Sequence, residues 1–284
     1  MLRRIPPDRG AAGDGTYWGA LLTVIDLGPR RPMLWAMREL DVLTLNVWGL
    51  PWPLSSHRQR RFEGIVEHLA GRRDHVVGLQ EVWGGSWKRL PLPALQRAPR
   101  SRDSGLALSG LLAAGAEARV RHFQRASGTD QLKAKGVLAA ELEVPGIGGL
   151  RVLVTHLQAG RRAAAVRAHQ VDELLEEAER SPLPTILMGD FNLHEDTGDD
   201  HRAEQRVASA GFVDAAVEAQ SPEPTWEPDA PYSRGRHPAQ RFDRIYCRGT
   251  SRVELCATAA AVLRPERPLS DHHPVWARIA LRAT

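Results

Sequence analysis

The feature that most constrains the fold of this chain is a series of short apolar runs, each of which ends at a polar residue. Val76–Gln80 is followed directly by Glu81, and Pro184–Met188 leads through Gly189 into Asp190. Apolar runs of about four to eight residues bounded by Gly or Pro are typical of strands buried on both faces. Such strands need further layers on both sides, so the sequence predicts a layered α/β protein with polar side chains at its strand ends.

Two amphipathic segments separate these strands. The first, residues 57–70, carries an apolar stripe at helical spacing, formed by Phe62, Ile65, Val66 and Leu69. Ser55 or Ser56 is expected to cap this helix, and Arg61 is expected to face solvent with its charged neighbours. A second helix is predicted over 163–178. Helices and strands alternate irregularly, which favours one α/β domain with mixed sheets over a strict parallel repeat.

Length and composition limit the class of protein. The 284 residues can bury one large core or two modest ones, and the apolar content of 42% is ordinary for a globular protein. Residues 1–37, rich in Pro, Gly and Arg, are predicted to form a disordered or loosely attached N-terminal extension, which leaves 38–284 as the folded domain. The net charge of +4 comes mostly from Arg and weakly favours a phosphate-bearing partner.

Cysteine usage and hydropathy bear on location. Cys247 and Cys256 have neither a metal-binding spacing nor the pattern of a disulfide framework, so we expect a reducing, cytoplasmic environment. The chain contains no run of the roughly 18 apolar residues needed to span a bilayer. We therefore expect no transmembrane segment and, from the polar N-terminus, no signal peptide.

The polar residues at strand ends are candidates for a functional site. They are Asn46, Glu81, His156, Asp190, Asn192, Asp243, Asp271 and His272. Sheet proteins build sites at strand ends because the scaffold is rigid there while the side chains remain free. Each residue alone also has an ordinary explanation, such as a turn, a core histidine or a surface ion pair. All of them together would require a series of independent coincidences.

The stretch Leu269–Val275 indicates the chemistry most directly. Asp271 and His272 lie just before Pro274, which is tolerated at the first position of a strand because its missing N–H is not needed there. A carboxylate at a strand mouth can hold a hard cation, and an imidazole can accept a proton from water. An Asp-capped turn followed by solvated histidines is the alternative interpretation.

Six short motifs run along almost the whole ordered chain. They are Leu45–Pro51, Leu79–Trp83, Thr155–Leu157, Gly189–Asn192, Phe242–Ile245 and Ser270–His272. In this order and spacing they resemble the endonuclease/exonuclease/phosphatase superfamily over about residues 40 to 281. Within it, the first motif, Lys135–Leu138 and Thr155–Ala159 look most like the neutral sphingomyelinase-type phosphodiesterases, although related phosphodiesterases share parts of them.

The resemblance implies an α/β fold of four layers, an αββα sandwich with two mixed β-sheets packed face to face. It also implies hydrolysis of a phosphodiester with a divalent metal, Mg²⁺ or alternatively Mn²⁺. Glu81 matches the metal-binding glutamate, with Asn46 beside it, and Asp271 would be a further ligand or a support for the site. Mg²⁺ prefers hard oxygen ligands and keeps several waters, so no His/Cys cluster is needed.

The resemblance also implies catalytic roles. His272 matches the general base, and Asp243 matches the carboxylate that orients it. Asp190 would either position the attacking water or protonate the leaving group. Asn192 would hydrogen-bond a phosphate oxygen, and His156 would donate to the charge that develops on phosphorus.

The expected partner is a phosphodiester substrate, either a phospholipid head group such as that of sphingomyelin or a nucleic acid. Four tryptophans flank the motifs and are candidates for an apolar rim where a lipid or base docks, with ordinary packing as the alternative: Trp48, Trp52, Trp83 and Trp87. A metal-dependent nuclease acting on DNA or RNA and a non-catalytic binding module on the same fold remain as alternative functions. The sequence leaves oligomeric partners open.

Overall fold

The computed structural model describes residues 39–83, 88, 90, 92, 96–97, 103–113, 115–233 and 238–284. The predicted extension 1–37 and Trp87 lie outside these residues. The strands in the described residues are β1 (Glu39–Asn46), β2 (Val76–Gln80), β3 (Gln96–Arg97), β4 (Ala107–Ser109), β5 (Ala118–His122), β6 (Gly136–Val144), β7 (Gly148–His156), β8 (Thr185–Asp190), β9 (Val213–Asp214), β10 (Asp243–Arg248), β11 (Val253–Val262) and β12 (Val275–Ala283). The α-helices are α1 (Arg58–Ala70), α2 (Ala164–Ala178), α3 (Gly198–Ser209) and α4 (Ala215–Glu218).

The strands form two six-stranded sheets. The first has the order β11-β12-β1-β2-β4-β3 and the second the order β5-β6-β7-β8-β10-β9. Each sheet contains one parallel pair, β1 with β2 and β7 with β8, among antiparallel neighbours. The predicted pair of mixed sheets is therefore confirmed.

Three apolar clusters separate four layers. One cluster lies between the sheets and includes Val42 from the first sheet and Met188 from the second. A second joins Ile65 of α1 to the outer face of the first sheet, and a third joins Leu174 of α2 and Val207 of α3 to the outer face of the second. The arrangement is the predicted αββα sandwich.

Because the central strands are pleated, the polar side chains at the ends of β1 and β8 point into the seam between the two sheets. Side chains alternate between the two faces of a strand, and in β1 the face that begins with Leu40 and Val42 continues to Asn46. In β8 the face that contains Met188 continues to Asp190. The two polar ends meet across the seam, because Asn46 Nδ2 donates to Asp190 Oδ2 at 2.9 Å.

Two predictions about α1 are wrong. The residue before the helix is His57, which has a left-handed φ of 51° and makes no side-chain cap, while the Ser55 hydroxyl donates to the Leu50 carbonyl instead. Arg61 does not face solvent, because it is fully buried. Its guanidinium donates to the carbonyls of Val47 and Trp48, each at 2.8 Å.

Arg61 therefore ties together parts of the chain that lie far apart in sequence. In addition to the loop after β1, it reaches the Ser56 carbonyl at 2.9 Å and the Leu269 carbonyl at 3.5 Å. Leu269 belongs to the loop that carries Asp271 and His272. The loop after β1 and the loop before β12 thus share one buried cation as an anchor.

Every helix in the described residues is too short or too polar to cross a bilayer.

Candidate active site

Strand ends from both sheets meet at one edge of the sandwich. These positions are Asn46 at the end of β1, His156 at the end of β7, Asp190 at the end of β8 and Asp243 at the start of β10. The register places three of them in a row, because His156 and Asp243 are both paired with Asp190 on neighbouring strands. Sequence positions that are far apart thus become neighbours in the seam.

The imidazole of His272 faces this row. His272 Nδ1 lies 2.7 Å from Asp243 Oδ2, and its Nε2 lies 3.9 Å from Asp190 Oδ2. Burial opposes protonation of the ring, but the carboxylates of Asp243 and Asp190 outweigh it and raise the pKa of His272 well above its ordinary value. The pair of His272 and Asp243 has the geometry of a base and the carboxylate that orients it.

Thr225 completes this pair and was missed by the sequence analysis. Its Oγ1 donates to Asp243 Oδ2 at 2.7 Å and accepts from the backbone N–H of Asp243 at 3.0 Å. Asp243 is fully enclosed, and burial raises the pKa of its carboxyl to about 6. The only sequence signal was one threonine among five prolines in the connection 221–240.

Asp190 accepts hydrogen bonds through both of its carboxylate oxygens. It accepts from Asn46 Nδ2 and from the backbone N–H of Asn192 at 3.0 Å, and His156 Nε2 lies 3.4 Å away. Burial opposes its ionisation, but His156, His272 and nearby donors outweigh that cost and lower the pKa of Asp190. Asp190 is therefore a carboxylate at neutral pH.

His156 and Asn192 flank Asp190. Burial, with the ammonium of Lys135 nearby, lowers the pKa of His156 well below its ordinary value, so this ring is neutral at pH 7. Asn192 has a φ of 49°, rare outside glycine, and its Nδ2 donates to the Leu157 carbonyl at 3.2 Å. That bond orients the amide beside Asp190 and leaves its second N–H available.

Glu81 follows β2 with a left-handed φ of 57°. Strained backbone of this kind in a non-glycine residue is concentrated at functional sites. The side chain is buried, and within the described part of the chain its Oε2 has no hydrogen-bond partner. Burial raises the pKa of Glu81 to about 7, and the carboxylates of Asp271 and Asp190 act in the same direction.

Asp271 lies beside His272 and is half-buried. It accepts from the Ser270 hydroxyl at 3.1 Å, and burial raises the pKa of its carboxyl, although His272 and the guanidinium of Arg61 oppose this shift. Asp271 and Glu81 influence each other's ionisation, which brings the end of β2 and the loop before β12 into one electrostatic cluster.

Two lysines that were not among the predicted site residues also act on the site. Lys133 Nζ and Lys135 Nζ each lie 3.0 Å from a carboxylate oxygen of Asp130, and Lys135 also donates to the Leu157 carbonyl. Their positive charge lowers the pKa of Glu81 in opposition to burial. Lys135 belongs to the motif Lys135–Leu138 and could have been identified from it, whereas no motif marks Lys133.

The buried carboxylates of the site are suitable ligands for a divalent cation. In the described residues, the group with ligand atoms within 4.8 Å of one another is Asp190, Asp243 and His272, which differs from the predicted set of Glu81, Asn46 and Asp271. His272 and Asp243 bind each other through Nδ1 and Oδ2, but within the described residues Asp243 Oδ1, like Glu81 Oε2, has no hydrogen-bond partner. The unpartnered oxygen of Glu81 is a buried carboxylate that a cation would neutralise.

The three described tryptophans of the predicted rim differ in exposure. Trp48 is buried under the guanidinium of Arg61, whose Cζ lies 4.7 Å from the ring centroid. Trp83 is half-buried, and Trp52 is exposed. Trp87 lies outside the described residues. Ordinary packing accounts for Trp48, whereas Trp52 is free to contact another molecule.

Two mixed sheets with an acid–base cluster at their common edge define the class of protein. The chain belongs to the Endonuclease/Exonuclease/phosphatase family, whose model matches residues 43–272.

Sequence relatives cover little of the chain. A stretch of 45 residues is 49% identical to a provisionally named neutral sphingomyelinase of Drosophila melanogaster, but that stretch is 16% of this chain and 10% of the relative. The chain thus matches only a small part of that relative's length.

Solved structures match over most of the chain. D. rerio TDP2 in complex with a single-strand DNA product is 21% identical, with a TM-score of 0.68 over 85% of this chain and 98% of that one. A Staphylococcus aureus beta toxin with bound magnesium ions is 16% identical, with a TM-score of 0.64 over 84% and 99%. At these identities the likeness concerns the fold.

Proposed function

We propose that this protein is a divalent-metal-dependent phosphodiester hydrolase that acts on a phospholipid head group or a similar small diester. The observation that carries the proposal is the His272–Asp243 pair at 2.7 Å, set beside the ionised Asp190 and the unpartnered carboxylate of Glu81. A base, its orienting acid and a buried anion in one seam are what water attack on a phosphate requires.

His272 takes a proton from the attacking water. Its Nδ1 is held by Asp243, so its Nε2 is the atom that faces the reactants. Asp243 stabilises the imidazolium that forms, and Thr225 holds Asp243 by one hydroxyl and one backbone bond. Because the pKa of His272 is raised, the free base becomes available at higher pH than for an ordinary histidine.

Asp190 orients the water. Its lowered pKa keeps it ionised at neutral pH, which favours the orienting role over proton donation to the leaving group. Neutral His156 and the amide of Asn192 lie on either side and supply N–H donors for the phosphate oxygens. Donors fixed in place before the reaction stabilise charge without reorganisation.

Glu81 is the residue that would hold Mg²⁺ or Mn²⁺, with Asn46 beside it and Asp271 as a further oxygen ligand or a support. When bound, such an ion would neutralise a phosphoryl oxygen and the departing alkoxide. Asn46 orients Asp190 through its amide nitrogen, while its Oδ1 accepts from the Trp48 backbone N–H at 2.9 Å.

The test is hydrolysis of bis-p-nitrophenyl phosphate with Mg²⁺, with Mn²⁺ and with EDTA. We expect metal-dependent turnover that falls by roughly a hundredfold or more in Glu81→Ala and His272→Ala. His273→Ala is the matched control, because that ring lies near Glu227, with Nε2 3.6 Å from its carboxylate, and not near Asp243. Full activity of both site variants would refute the assignment.

A metal-dependent nuclease is the second candidate. The net charge of +4 and the fold shared with a TDP2 bound to a DNA product favour it, whereas the short sequence match to a neutral sphingomyelinase favours the lipid head group. A panel of sphingomyelin, phosphoinositides, plasmid DNA and an abasic oligonucleotide separates these substrates. Activity on none of them would favour a non-catalytic binding module.

A further inference from the structure

The most exposed large apolar side chains of the described residues lie together in the loop after β1. Trp52 is 86% exposed and Leu54 is 61% exposed. Pro51 and Pro53 are exposed as well, so four consecutive apolar residues face water. Contiguous exposed apolar surface usually marks a place where another molecule binds.

This loop tip, Pro51–Leu54, is held in a defined shape. The backbone N–H of Leu54 donates to the Pro51 carbonyl at 2.9 Å, and that of Ser55 donates to the same carbonyl at 3.3 Å. At the base of the loop, Arg61 holds the Trp48 carbonyl, and Asn46 Oδ1 accepts from the Trp48 N–H. The loop tip is therefore attached directly to the edge of the site.

A basic surface adjoins the loop tip. An open recess beside α1 is lined by His57, Arg58, Arg60 and Arg267, together with Glu63. Within the described residues Arg58 and Arg60 have no carboxylate within 4.0 Å, whereas Arg267 lies 3.8 Å from Glu63. Arg58 and Arg60, which we call the basic pair, therefore keep an uncompensated positive charge.

We infer that the loop tip and the basic pair dock the protein on a bilayer that contains anionic lipids. The inference rests on the proposed phosphodiesterase function and deepens it, since the substrate would then be a phospholipid within a membrane surface. Trp and Leu side chains insert about 5–10 Å into the interface, and arginines at the same level bind anionic head groups. The apolar loop tip and the cations a few residues further along the chain, at the start of α1, are the two components that such binding needs.

A nucleic acid fits this surface less well. Single strands bind through aromatic faces that stack on successive bases along a basic groove. The loop tip offers one aromatic ring, and its neighbours are Leu54 and two prolines. Hydrocarbon is the environment that all four residues share.

The test is co-sedimentation of the full chain with vesicles of sphingomyelin and phosphatidylcholine, with and without phosphatidylserine. Trp52→Ala with Leu54→Ser should weaken binding to both vesicle types by roughly tenfold or more. Arg58→Gln with Arg60→Gln should remove most of the gain from phosphatidylserine, roughly fivefold for each arginine at low salt. Leu111→Ser is the matched control, because Leu111 is 51% exposed but lies beside Asp74, at the opposite end of β2 from Glu81.

Hydrolysis of bis-p-nitrophenyl phosphate by the same variants distinguishes membrane docking from the proposed phosphodiesterase activity. The loop-tip variant should lose far more turnover on vesicle lipid than on the soluble diester. Vesicle binding that is equal in all variants, or a loss of single-stranded DNA binding in place of vesicle binding, would overturn the docking surface. Vesicle binding without any metal-dependent hydrolysis would leave the surface standing and refute the proposed function.

Discussion

At the scale of single residues, burial disfavours the charged form of both ionisable groups that the proposed chemistry uses most, but their neighbours differ. Glu81 is buried without a hydrogen bond to its Oε2 among the described residues, so its carboxyl resists ionisation. His272 is equally enclosed, but it faces carboxylates that favour its charged form. A cation at Glu81 would favour its ionised form, whereas the carboxylates around His272 raise the pKa of the ring.

Glu81→Gln should stabilise the metal-free protein. The pKa of Glu81 rises from 4.5 to about 7 in the fold, so the folded state retains this proton more firmly than the unfolded chain does. Its ionisation then lowers the free energy of unfolding as pH rises from 4.5 to 7, by about 3 kcal/mol in total. Urea unfolding in EDTA should show the variant more stable than wild type at pH 8 and equal to it near pH 4.

Metal addition gives the complementary measurement. Mg²⁺ should raise the melting temperature of the wild type and leave that of Glu81→Gln almost unchanged, because only the native carboxylate can bind the ion. Asp199→Asn, a change on the exposed face of α3, is the control. If Mg²⁺ stabilised all three proteins equally, Glu81 would not be a ligand of the metal.

Asp243→Asn should change the pH dependence as well as the rate. The Asp243 carboxylate helps to raise the pKa of His272, so its removal lowers that pKa and frees the base at lower pH. The acid limb of kcat/KM should shift to lower pH, while the maximum falls by about 10²–10⁴ because the imidazolium loses its stabilising partner. If the acid limb did not shift, Asp243 would not be the group that raises the pKa of the base.

At the scale of elements, the contact between β7 and β8 holds two site residues, His156 and Asp190, in register. Gly189 has a φ of +142°, and a Cβ there would lie 2.0 Å from the Thr155 carbonyl oxygen. No side-chain rotation relieves a clash with backbone, so the two strands would have to separate. His156 and Asp190, on the adjacent pair, would move with them.

Gly189→Ala should therefore destabilise the fold by about 3 kcal/mol or more and abolish diester hydrolysis. Gly198→Ala is the control, because a Cβ at that position, the first of α3, has only the end of the Arg202 side chain nearby, at 3.6 Å. Thermal unfolding and turnover of both variants provide the comparison. If Gly189→Ala were as stable as the wild type, β7 and β8 could separate enough to accommodate the added Cβ at little cost.

Local patterns predicted the elements well where burial follows a simple period. The strand Val76–Gln80 was predicted with its observed bounds, and the apolar stripe of α1 packs as expected. Arg61 was misassigned because its burial depends on carbonyls from two distant loops, which no helical period encodes. Thr225 was missed for the same reason, since its partner Asp243 becomes a neighbour only after the sheets assemble.

At the scale of the whole molecule, the described residues all fall in one compact unit, Trp35–Thr284. We therefore expect a shortened protein of residues 38–284 to keep the melting temperature and the diester turnover of the full chain. Differential scanning calorimetry and the turnover of bis-p-nitrophenyl phosphate measure both quantities. A large loss of either would assign the segment 1–37 to the catalytic domain rather than to an extension.

The αββα architecture could be predicted, and so could the positions of the candidate site residues at strand ends, whereas the order of the strands could not. All eight predicted residues occur at the ends of strands or in the adjoining loops, because polar residues directly after apolar runs mark such ends. The order of strands within each sheet has no comparable signal. It depends on which apolar faces meet, and that is decided by packing between segments hundreds of residues apart.

The position of β12 has a consequence for how the protein is made. β12, the last strand, lies between β11 and β1, which is the first strand described. A ribosome that has made the chain up to Arg264 has produced every strand of the second sheet, yet β1 still has an open edge and the base is missing. A nascent chain that ends at Arg264 therefore lacks both the strand that pairs with this edge of β1 and the base that pairs with Asp243, so it should not hydrolyse the diester.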